Sequence, residues 1–544
     1  MLSYFFLEVK EMKTAIAQMY VQAGHIKENT ENMLSMINEA REKGADMIIF
    51  PSMCVTGSML GVLHHDDAYI NTALKVNDMI LEASEDIMVV YGNIDEIDRE
   101  KPAVYVCADR KWIDNDFVLG GRSYVCVVED ELFDDNEADC IIHLDSSYYT
   151  GTENVVYNPG EIISVNSVGL ENDGHNVFVK HGASKVYGPE GARIRLESDF
   201  TQKLFIFNDE TQYICEEDPH QLLHTLIYAL KEFDKQMFNG RMKWVIGLSG
   251  GLDSTINAAL LTMALGKGRI VGYNMASYYN SDKTKNNARN LAHALGIEIR
   301  EGSIELISEA TVKTMENYGY QGTENGLIFE NIQARVRGHL LSTFAAAEGA
   351  VIINNGNKVE CALGYCTLYG DEVGALCLIG DVTKVQLFEL GHQINGIDGC
   401  EGIPENLLPV ETEEGCVWDM APSAELKDAQ KDPMKWFYHD DVISGILDGT
   451  RPIEKLMEIW LSGEIYDTPL GKWVKFYGLD DPKVFMEDVH WVVNTMHRNA
   501  FKRFQAPPLL CVSNGAIGVN YKESQLPFIP SDEFVELEKK ILSL

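Results

Sequence analysis

The segment GLSGGLDST (residues 247–255) puts two glycines, two serine hydroxyls and a carboxylate into one turn. WVIG before it reads as a buried strand, and TINAALLTMAL after it reads as a helix with Ile256, Leu260 and Met263 on its apolar side. Gly250 and Gly251 let the backbone approach an anion, and the first amides of the helix point at it with the helix dipole behind them. The hydroxyls of Ser249 and Ser254 add donors. Asp253 repels phosphate, so Mg²⁺ is its natural partner in such a turn. A bare Gly-Gly turn would mean little, whereas SGGxDS at a strand–helix junction is a specific sign of a polyphosphate cradle. Some thirty residues earlier, Cys215 lies in YICEED (213–218), ahead of Glu216, Glu217 and Asp218. An Ile-Cys-Glu-Asp run can be the nucleophile strand of an amidase that frees ammonia from an amide. The plainer alternative is a strand end entering a linker.

The elements around these groups alternate. In the first two hundred residues AIAQMYVQAG reads as a strand and NTENMLSMINEAREKGA (29–45) as a helix capped by Asn29. DMIIFPS, IMVVYGNI, AVYVCAD, SYVCVVED and CIIHLDS are short β runs, and SKVYGPEGARIRL is a hairpin with a Pro-Glu-Gly turn. A boundary falls near 212–222, where Asp218-Pro219 reads as a helix cap and first position. Beyond it, KWVIG, RIVGYNMAS, IEIREGS and AVIINNG alternate with helices across 282–296 and near 328–347. That is the pattern of a doubly wound parallel sheet. The Gly-, Glu- and Pro-rich stretch 391–422 reads as a surface excursion or lid.

Bulk properties narrow the function classes. The 544 residues carry 45 Lys and Arg against 83 Asp and Glu, a formal charge of −38. This argues against nucleic acid or an anionic membrane surface as the main partner, because phosphate-rich partners need a basic face. Any polyphosphate site must be locally positive. The N-terminal MLSYFFLEVKEMK is too short and too charged for a signal peptide or a membrane span, and Met12 is an alternative start to Met1. Eleven scattered cysteines without CxxC pairs favour reduced thiols in a cytoplasm.

The second half of the chain resembles the N-type ATP pyrophosphatases and, within them, the NAD synthetases. The matching stretches are FENIQARVRGHLL (329–341), NNGNKVECALGYCTLYGDEVG (354–374), VTKVQLFEL (382–390), APSAEL (421–426) and FKRFQAPP (501–508), in family order. The resemblance implies that Gly247, Leu248, Ser249, Gly250, Gly251, Leu252, Asp253 and Ser254 hold ATP phosphates, with Asn355, Lys384 and Ser423 touching the nucleotide. It implies Mg²⁺ on Asp253 and Glu360, and dinucleotide binding by Asn331, Arg335, Arg337, Glu360 and Lys502. Asp253, Lys384 and Asp371 are the implied catalytic groups. Two anions, a carboxylate and the α-phosphate of ATP, must meet, so Mg²⁺ and basic side chains must offset their charge. Two departures concern single contacts: Asn355 stands where the family often has Thr, and Asn287 where an Asp is usual.

The first half is similar to the nitrilase-type glutaminase domain of long NAD synthetases, through the stretch from AIAQMYVQAG to DMIIFPSMCVTG, VVEDELF (127–133), HLDSSYYTG (143–151) and SVNSVGLENDGHNVFVKHGASKV (164–186). Such domains use a Cys–Glu–Lys triad. The glutamate position after Phe50-Pro51 is Ser52, and the cysteine position before Glu129-Asp130 is Val128. The loop that would carry the lysine is missing, and Lys111 sits in a hairpin context. Cys215 comes after motifs that the catalytic cysteine must precede, and Cys126 is two residues early on Val128's side of its strand. Without a nearby base, both thiols should stay protonated.

The expected fold is therefore α/β. A degenerate nitrilase-like α-β-β-α sandwich (12–212) and a linker with a helix (213–240) precede a doubly wound synthetase domain (241–525) and a C-terminal helix or tail (526–544). The expected activity is ammonia-dependent amidation of nicotinic acid adenine dinucleotide, driven by ATP with Mg²⁺, in a homo-oligomer. The rivals are another amide ligase of the group, a synthetase fed by a separate glutaminase subunit, and a nucleotide-binding pseudo-enzyme.

Overall fold

A computed structural model describes residues 12–128, 138–152, 160–397, 402–427, 430–519, 521–522 and 524–544. The Met1 start and the Glu129-Asp130 pair lie outside the described residues. The chain divides into two compact units, Met1–Asp173 with Val177–Thr225, and Gly174–Asn176 with Leu226–Leu544. The division falls inside α3 (Gln221–Phe238), later than position 212. That helix is assigned from Gln221; ahead of it the Asp218 carboxylate accepts the His220 N–H and lies against the His224 ring, and the Asp218 carbonyl accepts the Gln221 N–H. No helix among the described residues is long and apolar enough to cross a membrane.

The first unit is built on two sheets. One has the order β14 (Lys203–Phe207), β1 (Thr14–Gln18), β2 (Met47–Ile49), β3 (Met88–Ile94), β4 (Pro102–Ala108), β5 (Lys111–Ile113). The other runs β15 (Tyr213–Ile214), β13 (Gly191–Arg195), β12 (Lys185–Gly188), β9 (Glu161–Val165), β8 (Cys140–Leu144), β7 (Arg122–Val128), β6 (Asp116–Leu119). Alternation along each strand sends Ile16, Ile49 and Val90 of the first sheet against Cys126, Ile142 and Val165 of the second, forming one core. Their opposite faces differ. On the first sheet, α1 (Ile26–Glu42) and α2 (Asp67–Ala83) bury Met33, Ile37, Ile70 and Ile80. Over the second sheet, no helix of this unit lies among the described residues; 129–137 and 153–159 are outside them. The α1 helix starts at Ile26, ahead of the expected cap. Asn29 is buried, and its amide donates to the carbonyls of Gln22 and Val55. A hairpin of β10 (Val168–Asn172) and β11 (Asn176–His181) completes the strands.

In the second unit, six parallel strands follow the order β23 (Leu509–Cys511), β20 (Leu376–Cys377), β19 (Ala350–Asn354), β16 (Lys243–Gly247), β17 (Ile270–Ala276), β18 (Glu298–Ser303). Chain order reverses at β16, whose neighbours are β17 on one side and β19 on the other. In open parallel sheets the crevice beyond the carboxyl ends of strands at such a reversal is where ligands bind. Helices α4 (Leu252–Leu265), α5 (Asp282–Leu295), α6 (Glu305–Asn317) and α7 (Gly326–Glu348) connect these strands. Leu341 and Ala345 of α7 cover Val245, Val271 and Ile352, while Trp244 and Ile246 are also fully buried. Both faces of β16 are thus covered, as a central parallel strand requires.

After β19 come α8 (Lys358–Leu363) and α9 (Lys384–Asn395), then a short hairpin of β21 (Val410–Glu411) and β22 (Cys416–Val417). Among the described residues of 391–422, expected to be a surface excursion or lid, Ile403, Leu407 and Leu408 are buried, 410–414 are exposed, and Leu407, Met420, Ala421 and Pro422 line a cavity. Apolar side chains amid its glycines and glutamates outweigh the loop-like composition. The rest is helical: α10 (Trp436–Leu447), α11 (Ile453–Ser462), α12 (Leu470–Phe476), α13 (Pro482–Arg498), α14 (Ala500–Arg503) and α15 (Asp532–Ile541).

Candidate active site

The phosphate-cradle segment occupies the position that the strand reversal singles out. Gly250 has a left-handed φ of +86°, and a Cβ there would lie 2.0 Å from the carbonyl oxygen of Thr284. Only glycine lets this turn press against the start of α5. Gly251 begins α4 in extended geometry with no side-chain cap, so the first-turn amides and the helix dipole face outward. Ser249 and Ser254 lie with their hydroxyls 3.1 Å apart.

A cavity of about 330 Å³ opens at this point, near the lower end of small-molecule sites. Gly247, Ser249, Gly251, Leu252, Asp253 and Ser254 line it. Leu248 and Gly250 are not in its lining: Leu248 is buried and Gly250 packs on α5.

Charge gathers beside the turn. Thr383 and Gln386 form a capping box that starts α9, putting Lys384 on its first turn. The second residue of that turn, Val385, donates its N–H to buried Asp440 at 2.6 Å. Lys384 is only 2 % exposed; its ammonium bonds both Asp253 oxygens, at 2.9 and 2.6 Å, and lies 4.6 Å from the Trp436 ring centre. Asn357 donates to Asp253 at 3.1 Å and caps α8 reciprocally with Glu360. Burial would lower the Lys384 pKa, but the Asp253 and Glu360 charges outweigh it and raise the value. Glu360 is held well above the usual carboxylate range, by burial first and by Asp253 second. Asp432 is raised as well, chiefly by burial. Three carboxylates around one ammonium leave an excess of hard oxygen donors, although among the described residues no three His, Cys, Asp or Glu side chains converge as a ready metal site.

The other expected residues separate into two groups. Arg337, Asp371, Asn355 and Ser423 line the same cavity. Arg337 donates to the Met275 carbonyl and to Asn280, and its burial lowers its pKa to about 10. Asp371 accepts the Thr367 N–H at 2.7 Å and is raised by burial. The Asn355 amide donates to the Gly247 carbonyl, and Ser423 donates to the Gln430 carbonyl, so both also brace the wall.

Asn331, Arg335 and Lys502 are not in that lining. Asn331 and Arg335 border a separate groove on α6 and α7, and Lys502 donates to the carbonyls of Gly364 and Cys366. Sequence reasoning passed over Asn357, Asp432, Asp440 and Glu372. Asn357 had a signal, an Asn three residues before Glu; the others carry none outside the fold.

In the first unit, the triad positions sit in packed surroundings. Ser52 is 1 % exposed and its hydroxyl has no hydrogen-bond partner. Val128 ends β7, paired with Leu144, in the core between the sheets beside Cys126. Burial pushes the thiol of Cys54 up to about 12 and that of Cys107 to about 11, and it also raises Cys126, Cys140 and Cys215. Cys215 follows β15 and donates to the Leu196 carbonyl. Lys111 opens β5 after a tight turn through Asp109 and Arg110, exposed to solvent.

A lysine–glutamate pair does occur elsewhere in this unit. Lys180 and Glu171, 3 % and 1 % exposed, lie 3.3 Å apart. Ser58 donates to Glu171 and accepts from Lys180, and its N–H also bonds Glu171.

Residues 227–461 match the family described as NAD synthase, and residues 13–116 match the carbon-nitrogen hydrolases. The glutamine-dependent NAD(+) synthetase of Thermotoga maritima is 36 % identical over 215 residues, 40 % of this chain and 35 % of the relative. That of Synechocystis is 33 % identical over 305 residues, 56 % of this chain and 48 % of the relative. The chain thus aligns with less than half the length of these two. The relative from Acinetobacter baylyi is 25 % identical over 478 residues, 78 % of this chain and 85 % of its own. Among solved structures, a glutamine-dependent NAD⁺ synthetase from Cytophaga hutchinsonii aligns with a TM-score of 0.73 at 15 % identity, covering 98 % of this chain and 100 % of that one. One from Acinetobacter baumannii gives 0.65 at 22 %, covering 95 % and 98 %. These likenesses establish the fold.

Proposed function

From a chain that joins a nitrilase-like domain to an NAD synthase domain, we propose a synthetase that amidates nicotinic acid adenine dinucleotide to NAD at the expense of ATP, using ammonia in place of glutamine. The observation that carries the reading is the Lys384–Asp253–Glu360 cluster at the mouth of the uncapped α4 helix. The α4 amides and the Ser249 and Ser254 hydroxyls bind the polyphosphate of ATP. Lys384 places a buried positive charge where negative charge builds up as the substrate carboxylate attacks the α-phosphate. Mg²⁺, held by Asp253 and Glu360, would offset the mutual repulsion of the two anions. Arg337, charged and fixed by two acceptors, orients the substrate from its place in the cavity lining. Pyrophosphate leaves, ammonia attacks the adenylated carboxyl carbon, and AMP departs.

Ammonia is favoured over glutamine by the first unit. At the family's positions Ser52 offers no carboxylate to act as base and Val128 offers no nucleophile. Each of the five described thiols of that unit is pushed toward its protonated form, the reverse of what a catalytic cysteine needs. A separate glutaminase subunit is compatible with the same losses; a co-purifying partner that confers glutamine use would identify it.

The test is NAD formation by the purified chain with Mg-ATP and nicotinic acid adenine dinucleotide, with ammonium or glutamine as sole nitrogen source. Ammonium should exceed glutamine by about a hundredfold or more in kcat/KM. Equal use of both nitrogen sources would sink the ammonia assignment, and no turnover with either would sink the synthetase assignment.

A further inference from the structure

The two departures noted in the sequence, Asn287 and Asn355, meet at the phosphate turn. Backbone pairing of β16 ends at Val245–Ile352 toward β19 and at Gly247–Tyr273 toward β17. Past those points asparagine side chains take over. The Asn355 amide donates to the Gly247 carbonyl at 3.0 Å, and the Asn274 amide donates to the Leu248 carbonyl at 2.9 Å. Asn355 is held in turn by the amide of fully buried Asn257 on α4, at 3.0 Å. From α5, the Asn287 amide reaches the Gly250 carbonyl at 3.4 Å, one turn beyond the Thr284 carbonyl on which Gly250 packs. Three carbonyls of one turn thus rest on neutral donors from the end of β19, from β17 and from α5. Main-chain carbonyls that have left a ladder need such partners.

Asn287 has a second task. Its amide also donates to Asn406 Oδ1 at 3.0 Å, and the Asn406 amide returns a bond to Asn287 Oδ1 at 3.1 Å. The Asn406 carbonyl accepts the N–H of Met420, which opens the stretch Met420–Ser423 in the cavity lining. An amide suits both tasks where a carboxylate does not. An ionised Asp has no proton to donate, so at 287 it would face the Gly250 carbonyl and Asn406 Oδ1 with nothing between them. Its charge would also sit behind a turn whose ligand is anionic. The Asp usual in the family is therefore unsuited to a chain that places Asn406 opposite.

We propose that Asn287 is a positioning residue for ATP: it holds the phosphate turn by the Gly250 carbonyl and joins that turn, through Asn406, to the segment at Met420. This rests on the reading of GLSGGLDST as the ATP cradle. Asn287 is not in the cavity lining, so it acts on the nucleotide only through the turn and through Met420. A turn fixed before ATP arrives needs no ordering on binding, and the affinity is higher for it.

Binding of Mg-ATP to the full chain, measured by calorimetry, reads the turn apart from the amidation. Asn287→Asp and Asn406→Asp make the same isosteric change at the two ends of one pair, and only the first also meets Gly250. Asn287→Asp should weaken Mg-ATP about tenfold or more, and Asn406→Asp about threefold or less. In NAD formation at saturating ATP, the ammonium KM should stay within about twofold in both variants. If Asn287→Asp does not fold, Asn287→Ala against Asn406→Ala makes the same comparison, with the larger loss again expected at 287. Equal losses at the two ends overturn the assignment, because breaking the pair alone would produce them. Unchanged Mg-ATP affinity in the variant at 287 overturns it too, and so does an ammonium KM that rises in step. Absence of Mg-ATP binding by the unsubstituted chain would overturn the cradle and this assignment together, whereas binding without NAD formation would overturn the amidation reading alone.

Discussion

Three buried lysine–carboxylate pairs, one in the first unit and two in the second, show how the same side chains become a clamp or a site. At Lys180–Glu171 the charges balance one to one, and Ser58 fills the remaining donor and acceptor positions. Lys358–Asp381 in the second unit is built alike, with Ser513 and the Val512 N–H closing the set. At Lys384–Asp253 the balance fails. Glu360 and Asp432 add carboxylates beside a cavity, and their pKa values are raised, by burial first and then by the Asp253 charge. A saturated pair holds segments together, whereas an unsaturated one beside a cavity has capacity left for a ligand.

The contrast can be broken most sharply at Lys384. Replacing it with Ala should lower NAD formation about 10²–10³-fold, read by steady-state assay, with the fold kept as judged by circular dichroism. At Lys180 the pattern should invert. Lys180→Met strands Glu171 and should destabilise the first unit by about 3–5 kcal/mol, seen in its thermal transition, with NAD formation per folded molecule unchanged. Pairing it with Glu171→Leu should restore most of the stability, since removing both charges relieves the stranded one. If Lys180→Met instead abolished turnover in folded protein, the division between clamp and site would fail.

A smaller effect concerns pH. Asp440, which anchors the first turn under Lys384, is raised by burial to about 7 from an ordinary 3.8. A carboxylate raised on folding stabilises while protonated. Its contribution is therefore full below its unfolded pKa, near 4, and is lost as pH rises to about 7. Asp440→Asn should flatten the decline in thermal midpoint across that window, on the order of 1 kcal/mol for each pKa unit removed. A slope identical to that of the unsubstituted chain would refute the link. The smallest changes are expected at Cys215→Ala and Lys111→Ala. Both should stay within about 0.5 kcal/mol in stability and leave the ammonium-to-glutamine ratio as it was. A shift in that ratio at Cys215 would reopen the amidase question.

Motifs confined to a few consecutive residues are legible in the amino-acid order itself. SGGLDS announces its strand, turn and helix because glycine conformation and helix-start chemistry are local. Ser52 and Val128 are legible for the same reason, since each is read directly at its place in a short motif. Element ends are harder to read: Asn29 has the chemistry of a helix cap, but the fold buries it and spends its amide on Gln22 and Val55. The stretch 391–422 has the composition of a surface loop, and composition does not reveal that Leu407 and Leu408 have a core to enter.

By itself, then, the sequence determined the chain's two-part α/β nature, its strand–glycine turn–helix and the residues Ser52 and Val128 at their places in the local motifs. Tertiary structure alone decided which charges meet. Lys384 finds Asp253 across 131 positions, and Asp440 holds the neighbouring Val385 from 55 positions further on. Whether Glu372 is solvated or sealed depends on the packing of β19 and α8 around it. Such pairings depend on distance and desolvation, which arise only when segments remote in the chain share one low-dielectric space.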